Sequence, residues 1–249
     1  MEFHESNSIV PNGQAAFNTT RWSIVHAAGD RQSPDAAAAL EVLCRAYWYP
    51  LYVYIRRKGL SPSDAQDVTQ EFFYRLIGKN SLESVDSGKG SFRSFLLASV
   101  NHLLANEWDK ARALKRGGDR HIVSLEAEEA EGRFAQESSD HDSPEKAFDR
   151  RWALTLLERA LVLLREESAA TGKLPQFDRL KVFLSDLPGP GDYAALAGPL
   201  EMQPGAVAVA VHRLRLRYRE IVRAEVAQTV ATESELNFEM HHLFAALER

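Results

Sequence analysis

The chain has 249 residues, 45% of them hydrophobic and 26% charged, with a formal net charge of −5; it can bury a substantial core, and it is too acidic overall to coat nucleic acid nonspecifically. A single cysteine, Cys44, excludes an internal disulfide and a thiolate metal cluster, and its setting in "LEVLCRAYW" gives it the character of a small buried hydrophobe. The start, "MEFHESNSIVPNGQAAF", lacks a signal-peptide pattern and nowhere do about 18 apolar residues run together, so a cytoplasmic chain with no membrane span is expected.

Residues 1–18 are expected to be disordered. A short helix follows in "TTRWSIVHAAGD", begun by Thr19 or Thr20, then a long one in "DAAAALEVLCRAYWYPLYVYIRRKG" that stops at Gly59 and contains Pro50. In "SPSDAQDVTQEFFYRLIG", Ser61 as N-cap, Pro62 in first position and Asp64 three residues after the cap mark a helix start. Ala65, Val68, Phe72 and Leu76 form its core stripe, while Asp64, Asp67, Glu71 and Arg75 fall on another face, which spacing alone reads as a solvated stripe.

After the loop "KNSLESVDSGKG", the helix "SFRSFLLASVNHLLANEWDKARALKRGG" carries Phe92, Leu96, Val100 and Leu103 on its buried side. Arg93, Asn101, Trp108 and Arg112 share a different face. A cation, an amide and a large aromatic together suit unpaired nucleic acid, whose bases stack while its phosphates are held. The same pattern fits a Trp108 packed beneath the connector and a merely polar Asn101; both readings stand at this level.

Charge is unevenly spread. Lys110, Arg112, Lys115, Arg116 and Arg120 form one basic run, and Arg213, Arg215, Arg217, Arg219 and Arg223 another. Between them, residues 126–146 hold eight acids against Arg133 and Lys146, and "EGRFAQESSDHDSP" has the composition of a linker. An all-α fold is expected, with two helical domains joined by an acidic flexible linker at 117–148.

In the second domain, "RRWALTLLERALVLLREES" and "PQFDRLKVFLSD" are amphipathic helices, "GDYAALAGPL" is a short helix capped by Asp192, and Pro204 opens a final one. Val207, Val211, Leu214, Tyr218, Ile221 and Val226 recur at nearly helical intervals, so "GAVAVAVHRLRLRYREIV" is one helix despite its alternating start. Short helix, turn and arginine-bearing helix form a helix-turn-helix, with Ala206, Ala208, Val209, His212 and Arg213 as base-facing candidates and Arg215, Arg217 and Arg219 as phosphate contacts. The tail "TESELNFEMHHLFAALER" has Thr232 and Glu235 in capping-box spacing and Leu236, Met240, Leu243 and Leu247 on one face, and it is expected to pack on the second domain. His241 and His242 are adjacent, which does not suit metal binding, so a surface role is expected and no metal or other cofactor.

"LCRAYWYPLYVYIRRKG", "DAQDVTQEFFYRLI", "GSFRSFLLASVNHLLANEWDKARALKRGG" and "AVAVAVHRLRLRYREIVRAEVAQTVA", in that order, resemble the blocks of the extracytoplasmic-function sigma factors of the sigma-70 superfamily. The resemblance implies region 2 at 19–116, region 4 at 149–228 and a helical tail at 229–249. It implies a non-enzymatic subunit that binds core RNA polymerase, through the β′ coiled-coil and the β flap, and selects promoter DNA; an anti-sigma factor is a further partner the family allows. By the same resemblance, Asp64, Asp67, Gln70 and Glu71 meet the β′ coiled-coil. Asn101 reads a flipped base of the minus-ten element, with Arg93, Trp108, Lys110, Arg112, Lys115 and Arg116 along the strand's path. Ala206, Ala208, Val209, His212, Arg213, Arg215, Arg217 and Arg219 face the minus-thirty-five duplex.

Three departures from the family pattern stand out. Ala208 and Leu216 replace a common lysine and arginine, Glu201 replaces the usual turn glycine, and Pro199 enters the last turn of the preceding helix. Ala208 and Val209 are expected to favour thymine methyls. A helix-turn-helix regulator that is no polymerase subunit is the alternative, but it needs only residues 149–228. An enzyme is the third option: the carboxylates at 64, 67 and 71 could hold a metal, yet no nucleophile, P-loop or histidine metal motif accompanies them.

Overall fold

The computed structural model describes residues 23–30, 34–78, 82, 91–113, 125–136 and 142–248. Among them the regular structure is helical: α1 Ser23–Gly29, α2 Ala36–Arg57, α3 Pro62–Gly78, α4 Phe92–Ala113, α5 Leu125–Gln136, α6 Pro144–Ala170, α7 Leu174–Leu180 with a following 3-10 turn Lys181–Leu184, α8 Asp192–Ala197, α9 Pro204–Ala227 and α10 Glu233–Ala245. The chain is all-α, as its periodicity implies.

The central element is α2, and its sequence explains why. From Tyr49 to Ile55 every residue is buried, Pro50 included, so this stretch is apolar or aromatic around its whole circumference and must be covered on all sides. α1, α3, α5 and α6 provide the cover. Gly59, with φ +95°, supplies the left-handed residue that ends α2.

α3 begins as its sequence dictates. The Asp64 backbone N–H donates to Ser61 Oγ at 3.2 Å, and the Ser61 hydroxyl donates to Asp64 Oδ2 at 2.6 Å. Ala65, Phe72 and Leu76 are buried and Val68 packs beside them. On α4, Phe92, Leu96, Val100 and Leu103 are at most 5% exposed, the stripe read from spacing.

The two halves pack as one body. Phe148 and Trp152 of α6, 0% and 1% exposed, belong to the same core as Tyr47, Tyr52 and Tyr54 of α2 and as Val226, Leu236 and Leu243 of α9 and α10. Sealing such side chains stabilises by about 1.5 to 3 kcal/mol each. The Phe148 and Tyr54 rings meet edge to face with centroids 6.2 Å apart.

The connector differs from the expected linker. Residues 125–136 form α5, seated on α2, and α6 starts at Pro144, with the Ser143 side chain accepting from the Lys146 N–H. Composition missed this because the order is tertiary: Phe134 lies beneath the Arg56 and Arg57 guanidinium groups, 4.8 and 5.2 Å from ring centroid to Cζ, and Arg133 lies 5.0 Å over the Tyr49 ring. Glu131 accepts from Arg56 and from the Tyr52 hydroxyl.

Around α8 and α9 a second, smaller core gathers Leu180, Phe183, Val207 and Val211, with Leu196, Leu200 and Met202 packed on it. The cap of α8 is Gly191 rather than Asp192; the Asp192 carboxylate instead accepts from the Gly189 N–H at 2.7 Å. α10 begins with a box, Glu235 N–H to Thr232 Oγ1 at 3.2 Å and Ala231 N–H to Glu235 Oε2 at 2.8 Å. Leu236 and Leu243 are buried against α6 and α9, with Met240 and Leu247 packed on the same core.

Candidate nucleic-acid interface

The outward face of α3 is acidic at its start. Asp64, Asp67 and Gln70 are exposed, and half-buried Glu71 accepts from Arg75 Nε at 2.5 Å one turn on. The face continues into Tyr74, 73% exposed, and Ile77, 42% exposed. Tyr74 escaped the sequence reading, although its spacing of four from Gln70 and seven from Asp67 puts it on the same side. Thr69 faces inward, its hydroxyl donating to the Ala65 carbonyl at 2.6 Å.

On α4 the expected shared face divides. Asn101 is exposed, and its Oδ1 lies 2.9 Å from the hydroxyl of buried Tyr54. That hydroxyl lies 3.2 Å from Glu145 Oε1, which the Lys58 ammonium also reaches at 3.2 Å, while Lys58 sits 5.0 Å over the Tyr54 ring. The Glu145 carboxyl is held below its ordinary pKa, first by the backbone N–H at its own helix start and then by Lys58.

Arg93 is buried, not on the Asn101 surface. Its Nε and NH2 donate to Glu239 at 3.2 and 3.4 Å, NH1 pairs with Asp149, and the guanidinium stacks 5.2 Å from the Trp152 ring. Burial on its own would lower the Arg93 pKa, but Glu239 and Asp149 more than offset it and hold the group charged. A helical wheel places Arg93 and Asn101 on one side of α4; it cannot say that α6 and α10 cover only the Arg93 end. His242 also departs from a surface role: half-buried beside Trp152, its Nε2 lies 2.9 Å from Asp149 Oδ2. The side chains of Trp108, Lys110 and Arg112, and all of Lys115 and Arg116, lie outside the described residues.

α8 and α9 are joined by a tight turn. Glu201 N–H donates to Gly198 O at 3.0 Å and Met202 N–H to Ala197 O at 2.9 Å, the paired bonds of a Schellman cap. Glu201 stands at the left-handed position with φ +52°, the one described non-glycine residue with positive φ. Pro199 sits in the preceding turn, where its missing N–H interrupts the helical bonding after Ala197.

Along α9, Ala206, Val209, His212, Arg213 and Arg219 are exposed and Ala208 half-buried. Two of the arginines are engaged within the chain. Arg215 donates through Nε to Phe183 O at 2.7 Å and through NH2 to Asp186 O at 2.9 Å. Arg217 donates to Glu167 at 3.0 Å and to Glu220 at 2.8 Å, which together raise its pKa. Between α6, α7 and α9 lies a groove of about 500 Å³, floored by Phe177, Leu180 and Met202 and rimmed by Lys173, Arg213 and Arg217.

Among the described residues no three His, Cys, Asp or Glu side chains gather as a metal site, and no helix is long and apolar enough to cross a membrane. Residues 43–114, from within α2 to the residue after α4, match the family model for sigma-70 region 2. No curated protein and no solved structure matches the chain.

Proposed function

We propose that this chain is a sigma factor of the extracytoplasmic-function type, which binds core RNA polymerase and directs it to promoters without catalysing a reaction itself. One observation carries the reading: the region 2 match covers a helix, α3, whose apolar stripe is spent on the core while Asp64, Asp67 and Gln70 face outward. Buried residues explain the fold; the exposed acids call for a basic partner, and the β′ coiled-coil is the partner we assign to them.

Asn101 then reads an extruded base, presented on α4 beside Tyr54, whose hydroxyl donates to its Oδ1. α9 is the reading helix for the minus-thirty-five duplex, with Val209, His212 and Arg213 towards bases. The amphipathic groove between α6, α7 and α9 is the surface we assign to the β flap.

Gel filtration with core RNA polymerase tests this. Co-elution is expected, and Asp67→Lys should abolish it without changing the melting temperature, because the side chain is exposed. Tight, sequence-selective duplex binding by a chain that never co-elutes with polymerase would favour a helix-turn-helix regulator.

A further inference from the structure

One stripe of α3 stays outside the fold along most of its length. Asp67, Gln70, Tyr74 and Ile77 are all exposed, and at 3.6 residues per turn they lie within about 80° of one another around the helix. The stripe is polar and acidic at its start and apolar at its end. At the apolar end it meets a pocket of about 190 Å³ between α1, the start of α2 and the end of α3. Leu76 and Leu82, 4% and 2% exposed, lie at its base, Ala28, Ala36 and Ala37 line its sides, and Ile77 stands at its edge.

The described lining of this pocket is aliphatic throughout, so a water inside it finds no hydrogen-bond partner and a polar side chain placed there would lose its own. An apolar cavity of about 150 Å³ holds a benzene ring, which sets the scale of the occupant: one leucine, methionine or phenylalanine side chain. The chemistry along the stripe says what brings that side chain. Asp64 and Asp67 precede Ile77 by roughly 15 to 20 Å along the helix axis. They call for lysine or arginine on a partner, and the pocket calls for an apolar side chain about that far beyond, so one helix laid along α3 satisfies both.

We propose that the pocket between α1, α2 and α3 is a second anchoring subsite, taking one large apolar side chain from the same basic polymerase helix whose cations face Asp64 and Asp67. This rests on the reading of α3 as the polymerase-facing helix. Ala28, Ala36 and Ala37 precede the stretch matched by the region 2 family model, which begins at residue 43, so the subsite adds α1 and the start of α2 to that surface. The two subsites divide the work. The acids steer and orient the partner and are screened by salt; the apolar seat slows its departure and is not screened.

Titration of the fluorescently labelled full chain with core RNA polymerase is the first measurement. Ala37 is exposed at the pocket wall, so Ala37→Trp fills the space without entering the core; it should weaken the complex about tenfold, through faster dissociation, and leave the melting temperature unchanged. Ala37→Ser, which leaves the pocket open, should stay within about twofold of the wild type. Wild-type affinity in Ala37→Trp overturns the proposal, and so does an equal loss in Ala37→Ser. The second measurement is hydrogen exchange on the wild-type chain, free and in the complex. Slower exchange at 25–29 and 36–40 in the complex is expected; unchanged exchange there while 64–77 is protected overturns the proposal. Asp67→Lys keeps the two readings apart. If it abolishes binding while the pocket results are negative, the α3 reading stands and the subsite falls; if it binds polymerase as the wild type does, the α3 reading falls and takes the subsite with it.

Discussion

Arg56 and Glu131, 75 residues apart in sequence, meet as a two-pronged pair, Nε to Oε2 at 3.0 Å and NH2 to Oε1 at 2.7 Å, with the Tyr52 hydroxyl donating to the same carboxylate at 2.6 Å. The hydrogen bonds from Arg56, then that from Tyr52, hold the Glu131 carboxyl below its ordinary value of 4.5 against the opposing effect of burial. A depressed folded-state pKa stabilises the fold above the unfolded value, and that contribution is lost as pH falls through the folded value. Stability should therefore drop below about pH 4.5. Glu131→Gln should flatten that part of the urea-midpoint profile; an identical acid limb in the variant would show that the pair holds nothing.

Phe148 tests whether the halves are one unit. It is fully buried between α2 and α6, and truncation to alanine should cost about 3 to 5 kcal/mol through lost transfer and the cavity left behind. Because the core is continuous, thermal unfolding of the wild type should show one transition seen equally by far-ultraviolet circular dichroism and tryptophan fluorescence. Two separate transitions would mean that α2 and α6 do not share a core.

The stripes on α3, α4 and α9 were legible because each helix buries one side, and a 3.6-residue period survives whatever the neighbours are. The limits of that logic show at α5 and Arg93. α5 lies in a run of acids whose composition suits solvent, and it is held by Phe134 and Glu131 on partners 75 or more residues away. Arg93 has the same periodicity as Asn101, but its covering acids, Asp149 and Glu239, lie 56 and 146 residues downstream. Local pattern says which side of a helix is different; only the packing says what covers it.

On α9, arginines of equal charge should behave differently. Arg213 is exposed, so Arg213→Ala should weaken duplex binding and reduce the slope of log affinity against log salt by about 1. Arg215 donates to the Phe183 and Asp186 carbonyls, so Arg215→Ala should lower the melting temperature and leave that slope nearly unchanged. Equal slopes lost at both positions would mean that Arg215 leaves its carbonyls when DNA binds.

Tyr74 extends the acidic face of α3 and buries almost nothing within the chain. If that face meets core polymerase, an exposed aromatic at its end is a natural anchor, and Tyr74→Ala should weaken the complex by roughly tenfold, about 1.4 kcal/mol, as truncated interface tyrosines do. The melting temperature of the free chain should not change, since the side chain is 73% exposed. Unchanged polymerase affinity would confine the contact to the acids.

Glu201 places a conformational burden on the turn between α8 and α9. A non-glycine residue in the left-handed region is disfavoured by about 1 to 2 kcal/mol, because its Cβ approaches the following carbonyl. Glycine relieves that strain but gains unfolded-state freedom, which returns about 0.5 to 1 kcal/mol. Glu201→Gly should thus stabilise the chain by roughly 0.5 to 1 kcal/mol in chemical denaturation. Glu201→Val, with branching at the strained Cβ, should destabilise it by at least about 1 kcal/mol. The two Schellman bonds, from Glu201 and Met202 to Gly198 and Ala197, set the angle at which α9 leaves α8, and glycine preserves both. Duplex affinity should therefore be the same in Glu201→Gly as in the wild type. A glycine variant that binds DNA more weakly while being more stable would show that the strained turn itself tunes how α9 is presented.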